Sequence, residues 1–279
     1  MQRGWYGSPI TEMWREYWWD FRVEAMTAIA SLYTPSGFVI AADGRCRSDD
    51  GLHNEFETEF AQKIFPVINE ERTFAYSLIG FAGTNNGRFK MADELKKAAD
   101  TLGNRRCEDG DVYVNKFGHL LQQAINKARR SGRLDELPAN EHMPAEIRNQ
   151  IFRLLLVGYF RRIPRQFETR FVRNEEDRVR FIVESPTLRK IHSAVTGSNI
   201  IARLLFEDRD PRFQRYEPPK PEWPTLDWAE AWTRGYIDAC GDPLAAEIDP
   251  WCTRIGGHTH IAEITLENGF QWRIPPRTI

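Results

Sequence analysis

The order of apolar periodicities along this 279-residue chain predicts an α+β protein, running strands, two helices, strands, two helices, strands. Two sheets sandwiched between two helical layers produce that order, so the expected architecture is a four-layer αββα sandwich. Local signals support the strands at both ends. Pro35, Ser36 and Gly37 split two apolar runs rich in β-branched and aromatic residues, and Asn268-Gly269 separates two more.

Taken in order, Ser8 reads as an N-cap and Pro9 as the first helical position. Ile10, Met13, Trp14, Tyr17, Trp18 and Phe21 then recur at steps of three and four. That is an amphipathic helix, either a packing helix or a removable leader, and a start at Met26 is a third reading. The expected division is therefore 1-26, leader or packing helix, and 27-279, one domain.

From Thr27 to Gly83 four strands are expected, at 27-34, 37-43, 64-68 and 73-81. The acidic run between Cys46 and Gln62, with Asp49, Asp50, Glu55, Glu57 and Glu59, reads as a solvated loop. Helices follow at 86-102, stopping at Gly103, and at 112-130. After a break from Pro138 to Pro144, strands resume at 152-160, 166-173, 179-183 and 191-195. A helix at 200-206, a proline-rich surface insertion from Pro211 to Pro224 and a helix at 226-240 precede two last strands, 255-266 and 270-274.

A formal charge of -2 gives no global pull toward nucleic acid or an anionic membrane. No apolar run approaches the roughly 20 residues that span a bilayer, and Arg15, Glu16 and Asp20 interrupt any signal-peptide core. Cys46, Cys107, Cys240 and Cys252 are scattered without metal-like spacing, so a reducing, cytoplasmic location is expected.

The chemistry centres on Thr27. If the chain begins there, its hydroxyl, its α-amine, Asp43 and Lys63 make a compact set of nucleophile, base and charge support. A threonine hydroxyl needs a base within reach. A free α-amine, with a reference pKa of about 8, is attached to the same residue. A Lys63 ammonium lowers the pKa of both groups, and Asp43 holds that ammonium in place. Gly80, in the Ile79-Gly80-Phe81 turn, offers a main-chain N–H that a substrate oxyanion can approach closely. Packing between strand and helix is the other reading of Gly80 and Gly83.

Thr27, Asp43-Gly44-Arg45, Lys63-Ile64-Phe65 and Ile79-Gly80-Phe81-Ala82-Gly83 stand in an order that resembles the catalytic β-subunits of the proteasome and their bacterial relatives, which are N-terminal nucleophile hydrolases. The spacing from Thr27 to Asp43 matches without a gap, whereas the loop from Asp43 to Lys63 is longer than usual. The resemblance implies the four-layer Ntn hydrolase fold, a peptide or small-amide substrate, and a homo-oligomer built as a ring or stacked assembly. It also implies catalytic roles for Thr27, Asp43, Lys63 and Gly80, with Ser198 as a proton relay; a helix N-cap is the other reading of Ser198. Arg45 is expected to pin its loop through salt bridges.

Two features depart from the family pattern. Met26 precedes Thr27 where precursors carry glycine for autoprocessing. Cys252 and Ile255 occupy positions where the family has an aspartate and a serine, and Asp249 substitutes if the Pro250-Trp251 segment bulges. His258 and His260 share a strand face but make a weak metal pair, better read as ordinary strand histidines. Cys252 reads as a buried thiol rather than a nucleophile. No metal or organic cofactor is expected. The competing functional readings are a catalytically inactive scaffold that binds partners through Trp14, Trp18 and Trp19, and a small-amide acylase.

Overall fold

The computed structural model describes residues 27–49, 54–80, 88–134, 149–188 and 190–277. The expectations for residues 1-26, for Phe81 to Gly83 and for the break from Pro138 to Pro144 lie outside them.

The described residues open on β1 (Ile29–Thr34) and β2 (Gly37–Ala42), an antiparallel hairpin turning at Pro35 and Ser36. Next come β3 (Cys46–Asp49) and β4 (Asn54–Thr58), which among the described residues pair only with each other. The acidic stretch read as a solvated loop is thus partly a hairpin. A ladder of backbone hydrogen bonds needs no apolar alternation, so the pattern of hydrophobic residues could not reveal it.

Then follow β5 (Ile64–Ile68), β6 (Arg72–Gly80), α1 (Met91–Leu102), α2 (Gly110–Arg130), β7 (Gln150–Phe160), β8 (Ile163–Arg173), β9 (Val179–Glu184) and β10 (His192–Thr196). The last part contains α3 (Asn199–Phe206), a 3-10 turn at Gln214–Tyr216, α4 (Leu226–Cys240), α5 (Pro243–Ile248), a second 3-10 turn at Pro250–Arg254, β11 (His260–Thr265) and β12 (Gly269–Ile274). Sequence reading missed α5 and both 3-10 turns, each too short for a period of 3.6 to register. It also began β11 too early, because the chain first bends through Gly256 and Gly257.

Two antiparallel five-stranded sheets form the body, in the orders β10-β1-β2-β11-β12 and β5-β6-β7-β8-β9. Alternate residues of facing strands fill the space between them: Ile29, Phe38, Ile40 and Ala42 from one sheet meet Ile79, Leu155 and Val157 from the other. α2 lies on β8 and β9, where Phe117 and Leu121 pack near Phe74 and Phe167. α4 lies on β1 and β2 through Trp232, Tyr236 and Ile237.

The expectation of a four-layer αββα sandwich with the Ntn hydrolase fold is corrected. The described residues form a sheet-rich fold in which two antiparallel five-stranded sheets carry five α-helices. The physical reason lies in helix length. The helix expected at 200-206 is α3, whose eight residues make it only about 12 Å long. Elements that short do not extend across a five-stranded sheet whose strands lie about 4.8 Å apart. Apolar periodicity predicts that a helix exists, not how much of a sheet it covers.

No helix among the described residues is long and apolar enough to cross a membrane.

Candidate functional site

The β1–β2 hairpin sets the geometry. Ile29 pairs with Ala42 at its open end, so the residues just outside the ladder, Thr27-Ala28 and Asp43, lie side by side. Asp43 N–H donates to the Ala28 carbonyl at 3.1 Å, and Ala28 N–H donates to Asp43 Oδ1 at 2.9 Å. Asp43 is therefore tied by two bonds to the residue that follows Thr27.

Lys63, immediately before β5, reaches the same carboxylate. Its Nζ donates to Asp43 Oδ1 at 2.8 Å and to the Arg45 carbonyl at 2.6 Å. Asp43 Oδ2 accepts Gly256 N–H at 3.1 Å and Arg45 N–H at 3.3 Å. The carboxylate is fully buried, and burial pushes its pKa up from the ordinary value against the pull of the Lys63 ammonium and the backbone donors. One oxygen of Asp43 thus holds both the Lys63 ammonium and the backbone beside Thr27.

The backbone of Lys63 is fixed at both ends. Its N–H donates to His260 Nε2 at 3.0 Å, and its carbonyl accepts Ser77 Oγ at 2.7 Å. His260 is fully buried, and burial pushes its pKa down to about 4. Because Nε2 accepts, the imidazole is neutral. In the unfolded chain it titrates near 6.5, so the unfolded state binds the extra proton as pH falls from about 6.5 to 4, and stability is lost over that window. We expect the unfolding free energy to drop by roughly 2 kcal/mol between pH 7 and pH 5. In His260→Gln, whose carbonyl can still accept the Lys63 N–H, that contribution should vanish. Urea melts of both proteins at the two pH values measure it, and equal pH slopes would refute the assignment.

Ser198 is the N-cap of α3, its Oγ accepting Ile201 N–H at 3.1 Å and donating to Asp249 Oδ2 at 2.5 Å. The Pro250–Arg254 segment is a 3-10 turn capped by Asp249, which brings this carboxylate, rather than Cys252 or Ile255, to the serine. Cys252 and Ile255 are both buried and apolar in setting. Thr196 pairs with Ile29, and Gly197 takes φ +128, where a Cβ would stand 3.1 Å from Ala28 Cα. Only glycine lets the strand end pass so close to the chain beside Thr27. The Tyr236 hydroxyl, 3.2 Å from the Thr196 carbonyl and 3.3 Å from that of Ser198, holds this segment from α4.

Gly80 ends β6 opposite Phe152 with φ +96. Its neighbour Ile79 packs with Ile29, Ala42 and Ile64, which places Gly80 at the same end of the sheets as Thr27. Among the described residues no hydrogen bond joins Gly80 or the Thr27 hydroxyl to Lys63. The structure therefore brings Asp43 and Lys63 together beside Thr27, and Ser198 onto Asp249.

Arg45 pins its loop as expected, through Glu59 at 3.0 Å and the carbonyls of Thr253 at 3.1 Å and Ile255 at 2.9 Å. Arg45→Met should cost about 1–2 kcal/mol, the pair being partly exposed. Thermal unfolding measures this, and an unchanged midpoint would count against the tether. His260, Tyr236 and the Ser198–Asp249 contact carried weaker sequence signals. Of these, Asp249-Pro250, a cap residue followed by proline, was the one readable mark.

No family model and no curated protein matches the chain. Among solved structures, it is similar to the Anbu (Gly-1) mutant from Hyphomicrobium sp. strain MC1, at 13% identity over 88% of this chain and 86% of that one, with a TM-score of 0.49. It is also similar to Anbu (ancestral beta-subunit) from Yersinia bercovieri, at 14% identity over 89% and 88%, with a TM-score of 0.49. Among the described residues no group of three histidine, cysteine, aspartate or glutamate side chains is placed to hold a metal ion.

Proposed function

We propose that this protein is a threonine-type peptide or amide hydrolase that resembles the catalytic β-subunits of the proteasome, with Thr27 as its nucleophile once residue 27 carries a free α-amine. The supporting observation is the shared Asp43 oxygen, which accepts both the Lys63 ammonium at 2.8 Å and the Ala28 N–H at 2.9 Å. That oxygen fixes a positive charge next to the residue whose hydroxyl must be activated.

In the proposed reaction the neutral α-amine of Thr27 takes the proton from its own Oγ as the oxygen attacks the scissile carbonyl. Lys63 stabilises the developing negative charge electrostatically, and Asp43 keeps its ammonium oriented. The Gly80 N–H serves the oxyanion of the tetrahedral intermediate. The ammonium formed on Thr27 returns a proton to the leaving nitrogen, and an acyl ester remains on Oγ. Water, activated by the same amine, cleaves that ester and restores the hydroxyl. Ser198, held by Asp249, is proposed as an auxiliary proton relay. Cys107, Cys240 and Cys252 are buried thiols outside any disulfide, which supports a reducing, cytoplasmic location, and a homo-oligomer accords with the same reading.

The test is the mature N-terminus together with covalent labelling. Intact-mass measurement and N-terminal sequencing of purified protein should find Thr27 first. A threonine-directed electrophile should label that form once, at Thr27, and leave Thr27→Ala unlabelled. Protein recovered only with residue 26 bonded to 27, yet hydrolysing peptides, would refute the mechanism. The same material, if inert, would instead be a scaffold.

A further inference from the structure

β9 is the outer strand of its sheet: β8 pairs with one edge, and among the described residues no strand lies on the other. α2 passes that open edge. Its Asn126 donates from Nδ2 to the Val179 carbonyl at 3.2 Å and accepts the Val179 N–H on Oδ1 at 3.0 Å. Both outward groups of Val179 are thus satisfied by one carboxamide, the chemical group of a peptide backbone. Outward groups recur at every second residue of an antiparallel strand, so Phe181 and Val183 present theirs on the same side.

Beside them runs a groove of about 430 Å³, lined by Asp111, His119 and Gln122 of α2 and by Arg180, Phe181 and Val183 of β9. Asn126 sits at Val179, and the His119 ring meets Phe181 edge-on at 4.8 Å, so α2 runs antiparallel to β9. Asp111 therefore marks the Val183 end of the groove, and Arg180 the end near Val179. The floor offers unpaired backbone, the wall offers aromatic rings, and the two ends carry opposite charges.

We infer that this groove binds an extended peptide segment, added as a further antiparallel strand on β9 with a basic side chain near its N-terminus facing Asp111 and an acidic one near its C-terminus facing Arg180. Backbone pairing supplies affinity in strand addition, and the end charges set direction. The inference does not rest on the chemistry at Thr27.

The probe is a short fluorescein-labelled peptide of alternating threonine and valine, with lysine near the N-terminus and glutamate near the C-terminus, titrated by fluorescence polarisation. Saturable binding is expected. N-methylation of alternate probe amides should weaken it at least about tenfold, a loss of 1.4 kcal/mol, because it removes backbone donors without changing side chains. Val183→Pro removes one outward N–H from an edge strand, a position that tolerates proline, and should weaken binding equally. Asp111→Lys, an exposed change that leaves both ends of the groove basic, should abolish the preference for this probe over one with its end charges exchanged. Lack of saturable binding, equal affinity for the N-methylated probe, or indifference to Asp111→Lys would each overturn the inference. So would a concentration-dependent doubling of mass that Val183→Pro abolishes, which would assign the edge to a second copy of the chain.

Discussion

Lys63→Met should lower the unfolding free energy by about 3–5 kcal/mol, the usual loss when one partner of a buried ion pair is removed. The cause is the position of Asp43, which is fully buried and, among the described residues, receives a side-chain hydrogen bond from Lys63 alone. Without the ammonium, three backbone N–H groups remain, from Ala28, Arg45 and Gly256. They orient the carboxylate but do not neutralise it. The thermal midpoint should fall by on the order of 10 °C. Adding Asp43→Asn should recover part of the loss, since a neutral amide oxygen still accepts from Ala28 and no charge stays stranded. Turnover of a fluorogenic peptide amide should drop by about 10²–10³, the effect of deleting one preorganised electrostatic group. A Lys63→Met protein as stable as the parent would show that the pair is dispensable to the fold, and unchanged turnover would remove Lys63 from the proposed mechanism.

The parts of this site that were legible in the sequence are those fixed by local chain geometry. Two apolar runs divided at Pro35, Ser36 and Gly37 dictate a hairpin, and a hairpin brings its two ends together, so Thr27 and Asp43 had to become neighbours. Lys63 was readable because it directly precedes the apolar run of β5. Long-range contacts were harder. That His260 would accept the Lys63 N–H depends on β11 lying next to β2, with His260 opposite Ala42, and nothing within β11 itself states its neighbour. Asp249 reaches Ser198 because a 3-10 turn replaces extended chain at Pro250, displacing the register that a gapless count back from Gly256 assumes. The helical layers were over-read for a related reason: an apolar stripe on a short segment looks the same whether or not the segment is long enough to cover a sheet.

Thr27→Ala should separate chemistry from stability in a way that Lys63→Met does not. Thr27 lies outside the β1 ladder, and its hydroxyl donates no hydrogen bond among the described residues. Truncation to alanine should therefore cost no more than about 1 kcal/mol, and the thermal midpoint should barely move. Turnover should fall by about 10⁴ or more, because the bond-forming oxygen is gone and binding alone leaves little rate. Thr27→Ser keeps both the oxygen and the α-amine, losing only the methyl that fixes χ1, and should retain rate within about tenfold. The comparison is most direct in protein prepared to begin at residue 27, set beside a form that keeps residues 1-26. If the amine is the base, the longer form is inert even with Thr27 intact, because an amide nitrogen has no lone pair free to take the proton. Equal turnover by the two forms would place the base elsewhere, with Lys63 the nearest candidate through its bond to Asp43. Full activity of Thr27→Ala would exclude this threonine altogether.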